Sequence, residues 1–283
     1  MPDNPVQWLC PGIVHKQGKT LVVGISKVGK TILSTDLAVG LATGESFICF
    51  PCEKVRVLYI VLERFRDFQA KLRRIVAGRD ISNLKVLDYS KKPLILDDPK
   101  DTKGYDTLCQ AVDLSNPDVI VLDSKYRTTS KKESDEESSK VWIDRIDSVI
   151  ESRKTGFVVI HHSPKMEYEE LVHRTAGSSF LARWADVFVG MSRKTRDRKD
   201  RRRTLEFVSN YGDEPDPIDV EITGLGLIDA APKLKINEAY TALENELKKG
   251  MPEGITRLIK QLAEQTGISE PTFWTVWRTL RIV

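Results

Sequence analysis

The sequence has no apolar run approaching the roughly 20 residues that a membrane-spanning helix requires, so an integral membrane protein is not expected. It has four cysteines among 283 residues, too few for a disulfide scaffold. The opening segment MPDNPVQWLCPG lacks a basic stretch followed by an apolar one, so we predict no export signal and expect a cytoplasmic protein. With 40% hydrophobic and 30% charged residues, the composition shows no sign of disorder and allows a large core.

Two of the cysteines are close together in the sequence. Cys49 and Cys52 form a C-x-x-C pattern, whereas Cys10 and Cys109 are isolated. A C-x-x-C pair can serve redox or zinc chemistry, but no second pair of ligands stands nearby. The pattern therefore favours reduced, partly buried thiols over a metal or redox site.

Length and patterning predict one main domain, residues 1–230, followed by a small C-terminal unit, residues 231–283. The main domain alternates strands and helices, which indicates an α/β fold with a mostly parallel sheet covered on both faces. Ligands of such sheets lie beyond the carboxyl ends of the strands. The predicted strands are Val55–Leu62, Leu84–Leu87, Val119–Leu122, Gly156–His161, Asp186–Val189, Thr204–Val208 and, closing an edge, Asp219–Ile222. The predicted crossover helices are Phe65–Val76, Thr107–Val112 and Ser138–Ser152.

A glycine-rich phosphate-binding motif is the strongest chemical signal. Residues 21–31 read LVVGISKVGKT, an apolar strand running into G-x-x-x-x-G-K-T, and an apolar stripe of helical period follows. Backbone amides of such a loop and the positive end of the next helix bind phosphate, while Lys30 reaches the β- and γ-phosphates and Thr31 coordinates Mg²⁺. The motif therefore predicts ATP and Mg²⁺ as cofactors. The predicted nucleotide-binding residues are Gly24, Ile25, Ser26, Lys27, Val28, Gly29, Lys30 and Thr31.

An aspartate ends one of the predicted strands. Asp123 follows the apolar run DVIVL and fits the Walker B position, where a carboxylate holds Mg²⁺ from the side opposite Thr31. We expect its strand to lie next to the P-loop strand. The alternative is a carboxylate that merely caps a turn.

A glutamate and two histidines end two further strands. Glu63 follows VLYIVL and is the candidate base that deprotonates the attacking water; alternatively it pairs with Arg64 or Arg66 on the surface. His161 and His162 follow FVVI. His162 is a candidate to hydrogen-bond the γ-phosphate, or the two histidines simply cap the strand.

Positive charge is concentrated in one segment. Although the chain carries +3 overall, MSRKTRDRKDRRR between Met191 and Arg203 has eight basic residues against two aspartates, a net charge of +6. Such a run is either a solvated loop or a contact for phosphates, from nucleic acid or from a neighbouring subunit's nucleotide. The second interpretation is favoured. The candidate nucleic-acid residues here are Arg193, Lys194, Arg196 and Arg198.

The order of these motifs resembles RecA-like ATPases of the plasmid RepA hexameric helicase type. The resemblance rests on WLCPGIVHKQGKTLVVGISKVGKT, VLYIVLE, PDVIVLDS, VVIHHSPK and AGSSFLARWADVFVGM and covers roughly residues 5–229. It implies a RecA-like core, a homo-oligomeric ring, a hexamer in that family, and a DNA substrate, single-stranded or forked. It also implies Lys30 and Thr31 at the nucleotide and metal, Glu63 as catalytic glutamate, Asp123 as Walker B acid and His162 as sensor.

The chain departs from the family pattern at two places. Arg64 stands where the family usually has a second acid after the catalytic glutamate. Many relatives carry a Lys-x-Arg pair that reaches into the next subunit's ATP, and the matching positions are Val208 and Asn210. The candidates for a substitute arginine finger are Arg201, Arg202 and Arg203.

The C-terminal unit resembles a winged-helix or helix-turn-helix domain. Asp229–Pro232 reads as a linker, Asn237–Lys249 as an amphipathic helix, and residues 258–283 as two helices joined by a tight turn with Gly267 in the left-handed conformation. DNA binding, protein docking and simple packing all stay open for this near-neutral unit. The candidate recognition residues are Thr272, Phe273, Thr275, Trp277 and Arg278.

Two functions fit the whole sequence. The first is an ATP-hydrolysing motor on nucleic acid, a RepA-like replicative DNA helicase or translocase. The second is an ATP-dependent DNA-binding regulator or loader without unwinding activity. DNA polarity, the choice between DNA and RNA, and subunit number do not follow from the sequence.

Overall fold

The computed structural model describes residues 6–131, 135–162, 179–197, 199–212, 214–229, 233–248, 255–268 and 270–280. The strands within these ranges are β1 (Trp8–Cys10), β2 (Val14–His15), β3 (Lys19–Gly24), β4 (Val57–Val61), β5 (Leu84–Asp88), β6 (Val119–Asp123), β7 (Gly156–His162), β8 (Val187–Arg193), β9 (Arg202–Ser209), β10 (Ile218–Thr223) and β11 (Gly226–Asp229). The helices are α1 (Lys30–Thr43), α2 (Phe65–Val76), α3 (Lys103–Ser115), a 3-10 helix (Lys125–Thr128), α4 (Glu136–Arg153), α5 (Ser179–Trp184), α6 (Lys233–Leu247), α7 (Ile255–Thr266) and α8 (Glu270–Leu280).

Nine strands form one sheet in the order β11-β10-β9-β8-β3-β7-β6-β4-β5. The six strands from β8 to β5 are parallel, and β9, β10 and β11 extend the sheet by antiparallel pairing. This arrangement confirms the predicted α/β fold. Two details of the prediction were wrong. The P-loop strand β3 and the Asp123 strand β6 are not neighbours, because β7 lies between them, and the edge strand is β11 rather than β10.

Helices cover both faces of the parallel sheet because its strands are apolar on both sides. In β3, Val22 belongs to the buried cluster beneath α1, while Leu21 and Val23 belong to the cluster beneath α3 and α4. Local sequence signals place the helix ends. Asp135 caps α4 by accepting a hydrogen bond from the Ser138 amide at 2.8 Å, which satisfies one of the unpaired amides of the first turn.

The C-terminal helices pack onto the α1 face of the sheet. Apolar residues of α6, α7 and α8 belong to the same buried cluster as α1 and β3. The backbone amide of Leu227 in β11 also donates to the Asp36 carboxylate of α1 at 3.0 Å. As predicted, Gly267 between α7 and α8 is left-handed, with φ of 67°. A domain boundary at residue 230 stays a prediction, since residues 230–232 lie outside the described ranges.

The predicted recognition face of α8 needs correction. Thr272 and Phe273 are 0% exposed, and Trp277 is 8% exposed, so none of them is available to contact nucleic acid in this structure. The aromatic residues at helical spacing form the packed side of α8 rather than an exposed reading surface. The side chains of Thr275 and Arg278 lie outside the described part of the structure.

Candidate active site

The P-loop connects the end of β3 to the first residue of α1. Gly29 has φ of 124°, a conformation that favours glycine, and a side-chain carbon there would lie 2.8 Å from Ile222 Cδ1. At Gly24, such a carbon would lie 2.6 Å from the Met191 carbonyl oxygen. The two glycines of the motif are therefore required because Met191 of β8 and Ile222 of β10 lie against the loop. The resulting turn brings the N-terminus of α1 to the carboxyl edge of the sheet, where phosphate binding is favoured.

Lys30 lies buried beneath this loop. Its ammonium donates hydrogen bonds to the carbonyl oxygens of Gly24 at 2.5 Å and Ile25 at 2.9 Å, and lies 3.1 Å from His162 Nδ1. Burial lowers the pKa of Lys30 to about 8, and the nearby carboxylate of Asp123 partly opposes this shift. The positive charge of the Lys30 ammonium, which the motif uses to bind phosphate, is therefore only weakly stabilised by the surrounding protein.

Asp123 ends β6 within reach of the P-loop helix. Burial raises its pKa, and hydrogen bonds from Thr31 and Tyr59 oppose that rise. Tyr59 Oη donates to Asp123 Oδ2 at 3.0 Å and is itself 2.8 Å from Ser34 Oγ. Residues of α1 can contact Asp123 although β7 separates β3 from β6, because α1 crosses over β7 and brings Thr31 and Ser34 toward β6. Sequence reasoning missed Tyr59 and Ser34, although a tyrosine in an otherwise aliphatic strand is a signal.

The Thr31 hydroxyl and the Asp123 carboxylate fit the Mg²⁺ that the motif implies. Both are oxygen donors of the kind that Mg²⁺ prefers, and they are already joined by a hydrogen bond. Mg²⁺ typically takes one or two protein oxygens and completes its shell with phosphate and water. A site in which Thr31 and Asp123 are the two protein ligands agrees with this coordination preference.

Glu63 follows β4 at the same edge. Ser124 Oγ, next to Asp123, donates to Glu63 Oε1 at 3.3 Å. Among the ion pairs of the described residues, none joins Glu63 to Arg64 or Arg66, so the surface-pairing alternative is not observed. Glu63 is exposed, which leaves its carboxylate accessible to water. Ser124 is a further residue that the sequence did not single out.

The two histidines of β7 have different environments. His162 pairs in register with Gly24 of β3, and its pKa is lowered by desolvation and by the Lys30 ammonium, while Glu63 acts in the opposite sense. His161 points to the other face of the sheet and is 1% exposed, and burial lowers its pKa to about 3. The geometry therefore distinguishes them: His162 belongs to the site beside Lys30, and His161 is a neutral interior residue.

The three candidate finger arginines differ in exposure. Arg201 and Arg202 are exposed, and Arg202 forms a two-point ion pair with Asp200, with bonds of 3.1 and 3.0 Å. Arg203 is 6% exposed and donates to the Val28 carbonyl of its own P-loop at 2.8 Å. Arg203 is thus engaged within its own subunit, and its role as a finger stays a prediction.

The family's Lys-x-Arg positions are remote from this edge. The residue before Asn210, Ser209, pairs with Val187 at the start of β8, whereas Arg203 pairs with Arg193 at its end. Asn210 Nδ2 donates to the Ala185 carbonyl at 3.3 Å. The end of β9 therefore lies at the edge opposite the P-loop. Its beginning lies at the P-loop edge, and the finger candidates Arg201, Arg202 and Arg203 are found there.

The basic segment is partly engaged within the fold. Arg193 Nη2 donates to the Lys27 carbonyl of the P-loop at 3.3 Å, and Lys194 pairs with Asp219 at 2.7 Å. Arg196 is exposed, and Arg198 lies outside the described residues. The predicted nucleic-acid contact thus sits on the β8–β9 connection, directly beside the phosphate loop.

Two remaining expectations can be compared with the structure. Cys49 and Cys52 are buried in the apolar cluster on the α1 face, and all four cysteines are thiols. None of the helices in the described ranges is both long and apolar enough to span a bilayer.

A P-loop joined to α1, a Walker B aspartate hydrogen-bonded to the P-loop threonine, and a glutamate at the next strand end define a RecA-like P-loop ATPase. The chain belongs to the AAA domain family, whose sequence pattern matches residues 1–167. Its fold is similar to that of a KaiC-like protein from the hyperthermophilic archaeon Pyrococcus horikoshii OT3, with a TM-score of 0.54 and 13% sequence identity over 80% of this chain and 99% of that chain. A comparison with curated proteins found no match.

Proposed function

We propose that the chain binds ATP with Mg²⁺ and hydrolyses it at the edge formed by β3, β4, β6 and β7. The observation that carries this proposal is the convergence of Lys30, Thr31 and Asp123, with Glu63 linked to the same group through Ser124. Lys30 contacts the β- and γ-phosphates, and Thr31 with Asp123 holds Mg²⁺. When bound, Mg²⁺ neutralises charge that develops on the phosphate oxygens.

Glu63 is the base of the chemical step. Its carboxylate accepts a proton from water as the water oxygen bonds to the γ-phosphorus, and the bond from that phosphorus to the bridging oxygen of ADP breaks. The products are ADP and inorganic phosphate. His162, beside Lys30, is suited to contact the γ-phosphate and to respond to its loss.

The test separates binding from chemistry. Lys30→Ala should weaken ATP binding and abolish turnover, whereas Glu63→Gln should retain ATP and lose hydrolysis, because the base acts in the chemical step. Glu53→Gln, a change of the same kind at another exposed glutamate, is the matched control. Turnover by Glu63→Gln at the wild-type rate would remove Glu63 from this role.

ATP hydrolysis is proposed to drive a RepA-like helicase or translocase that forms a ring, in the hexameric form of that family, around single-stranded or forked DNA. Support comes from the motif order, from the +6 segment beside the P-loop, and from the exposed Arg201 and Arg202 at the catalytic edge. Mass measurement in solution, with and without ATP and single-stranded DNA, tests assembly. Mixing Lys30→Ala with Arg201→Ala or Arg202→Ala protein should restore some activity if sites are shared between subunits.

A nucleotide-controlled DNA-binding regulator or loader is the second candidate. It is favoured by the engagement of Arg203 within its own subunit and of Arg202 with Asp200, which leaves fewer arginines to complete a neighbour's site. DNA-stimulated turnover and strand displacement on a forked duplex distinguish the two functions, since a regulator need show neither.

A further inference from the structure

Arg203 makes an unusual set of contacts for a buried cation. Its guanidinium donates from Nε to the Val28 carbonyl at 2.8 Å, and from Nη1 to the carbonyls of Asp200 at 2.8 Å and Arg202 at 2.6 Å. All three acceptors are backbone oxygens. Burial and the positive charge of Arg193 lower the pKa of Arg203, and Asp200 opposes them. The side chain is thus held at a site where its charge is poorly compensated.

Arg193 reaches the same loop from the neighbouring strand. Arg193 and Arg203 lie opposite each other in the antiparallel pair of β8 and β9, an arrangement that costs free energy because like charges face each other. Their guanidinium groups donate to consecutive carbonyls of the P-loop, those of Lys27 and Val28. Two facing arginines that bind adjacent peptide oxygens form a connection between the β8–β9 strand pair and the phosphate loop.

The loop needs such support at this point. Lys27 has φ of 63° and Gly29 has φ of 124°, and a left-handed conformation is unfavourable at a non-glycine residue such as Lys27. The turn's own bond, from the Val28 amide to the Ile25 carbonyl, is long at 3.4 Å. Conformations of this kind persist when surrounding groups hold them in place. The two arginines supply that hold at the carbonyls of Lys27 and Val28.

We propose that Arg203, assisted by Arg193, is a positioning residue that holds the P-loop in its phosphate-binding shape from within the same subunit. The proposal rests on the proposed nucleotide site. Arg203 then acts on binding, whereas a finger acts on the rate of the chemical step.

The experiment compares Arg203→Gln and Arg203→Lys with Arg153→Gln and Arg153→Lys. Arg153 is a suitable control because it forms a two-point ion pair with Asp113 on α3, away from the loop. Three quantities are measured in each variant. They are the dissociation constant of the protein for ADP in the presence of Mg²⁺, the separate values of kcat and KM for ATP, and the rate of amide hydrogen exchange across residues 24–31 without nucleotide.

Loss of the guanidinium in Arg203→Gln should weaken ADP binding about tenfold, since a hydrogen bond from a charged donor is lost. KM for ATP should rise with it, kcat should change less, and exchange should accelerate in residues 24–31 but not in β6 or β7. Arg203→Lys keeps the charge and should recover part of the affinity. If Arg203→Gln does not fold, loop exchange in Arg203→Lys decides the question.

Unchanged ADP affinity and unchanged loop exchange in folded Arg203→Gln would overturn the proposal. A fall in kcat with unaltered ADP affinity would also overturn it, and would favour the role of a finger for Arg203. If the wild-type chain binds no nucleotide, the proposed function fails, while the exchange measurement still shows whether Arg203 orders the loop.

Discussion

Tyr59 on β4 donates a hydrogen bond to Asp123 on β6 at 3.0 Å, and Ser34 of α1 lies 2.8 Å from the same tyrosine oxygen. The tyrosine is 0% exposed, so its hydroxyl has no solvent to replace these partners. This relationship fixes the orientation of the Asp123 carboxylate, the proposed Mg²⁺ ligand. It also links the sheet to the helix that carries Thr31.

We expect Tyr59→Phe to weaken Mg²⁺ binding while the fold is retained. A higher Mg²⁺ concentration should then be needed for half-maximal ATPase activity. Groups that orient a metal ligand typically contribute about 10-fold to 100-fold in metal affinity, and we expect the lower end because Thr31 still contacts Asp123. The measurement is ATPase rate against Mg²⁺ concentration. Tyr105→Phe, which removes a hydroxyl bonded to Ser148 on α4, is the control. Equal half-saturation in both variants and wild type would show that Tyr59 is not needed for metal binding.

The pKa of Lys30 leads to a pH-dependent nucleotide affinity. Burial lowers this pKa to about 8, and a bound phosphate favours the charged ammonium, so binding takes up a proton at pH values above about 8. ADP affinity without divalent metal should therefore fall as pH rises from about 7.5 to 9.5, by at most about tenfold per pH unit.

Lys30→Arg separates this effect from other titrations. Arginine stays charged throughout that range, so the affinity of the variant, whatever its absolute value, should be nearly independent of pH. Calorimetry at several pH values measures both proteins. A parallel decline in wild type and Lys30→Arg would assign the titration to another group.

The residues of the candidate nucleotide-binding edge could be located from the sequence because the signals that mark them are local. The P-loop motif specifies its own turn, and Asp123, Glu63 and His162 could each be located as the residue that ends an apolar strand. Parallel strands bring such residues to one edge whatever their order in the sheet. The prediction that β6 lies next to β3 was therefore wrong, but it did not affect the position of Asp123 at the end of β6.

The contacts that could not be predicted from the sequence join residues that are far apart along the chain. Tyr59 meets Asp123 only through the register of β4 and β6, and Arg203 meets Val28 across 175 positions of the chain. A run of arginines gives no sign of which member turns inward. The apolar spacing of α8 fits both a recognition helix and a packed helix, and the choice depends on the surface it covers.

The basic connection should give nucleic-acid affinity that depends on salt. Lys194→Ala, Arg196→Ala and Arg198→Ala together should weaken binding to all sequences alike and reduce the salt slope by roughly one for each lost phosphate contact. Arg193 is left intact because it contacts the P-loop. Binding of single-stranded DNA across a salt series is the measurement, with the exposed Lys154→Ala as control. An unchanged slope would leave the segment as a solvated loop.

The burial of α8 against the α1 face predicts that this helix stabilises the whole ATPase. Phe273 is 0% exposed and belongs to the buried cluster that includes Leu33 and Leu37 of α1. Phe273→Ala should therefore lower the free energy of unfolding by about 3–5 kcal/mol, the usual cost of removing a buried phenyl ring. Urea unfolding measures the change, and Tyr240→Ala, at a residue 40% exposed, should cost far less. If Phe273→Ala instead produces an early, separate transition while ATP binding and the main transition are unaffected, α8 belongs to an independently folding unit, and the predicted boundary at residue 230 is the correct one.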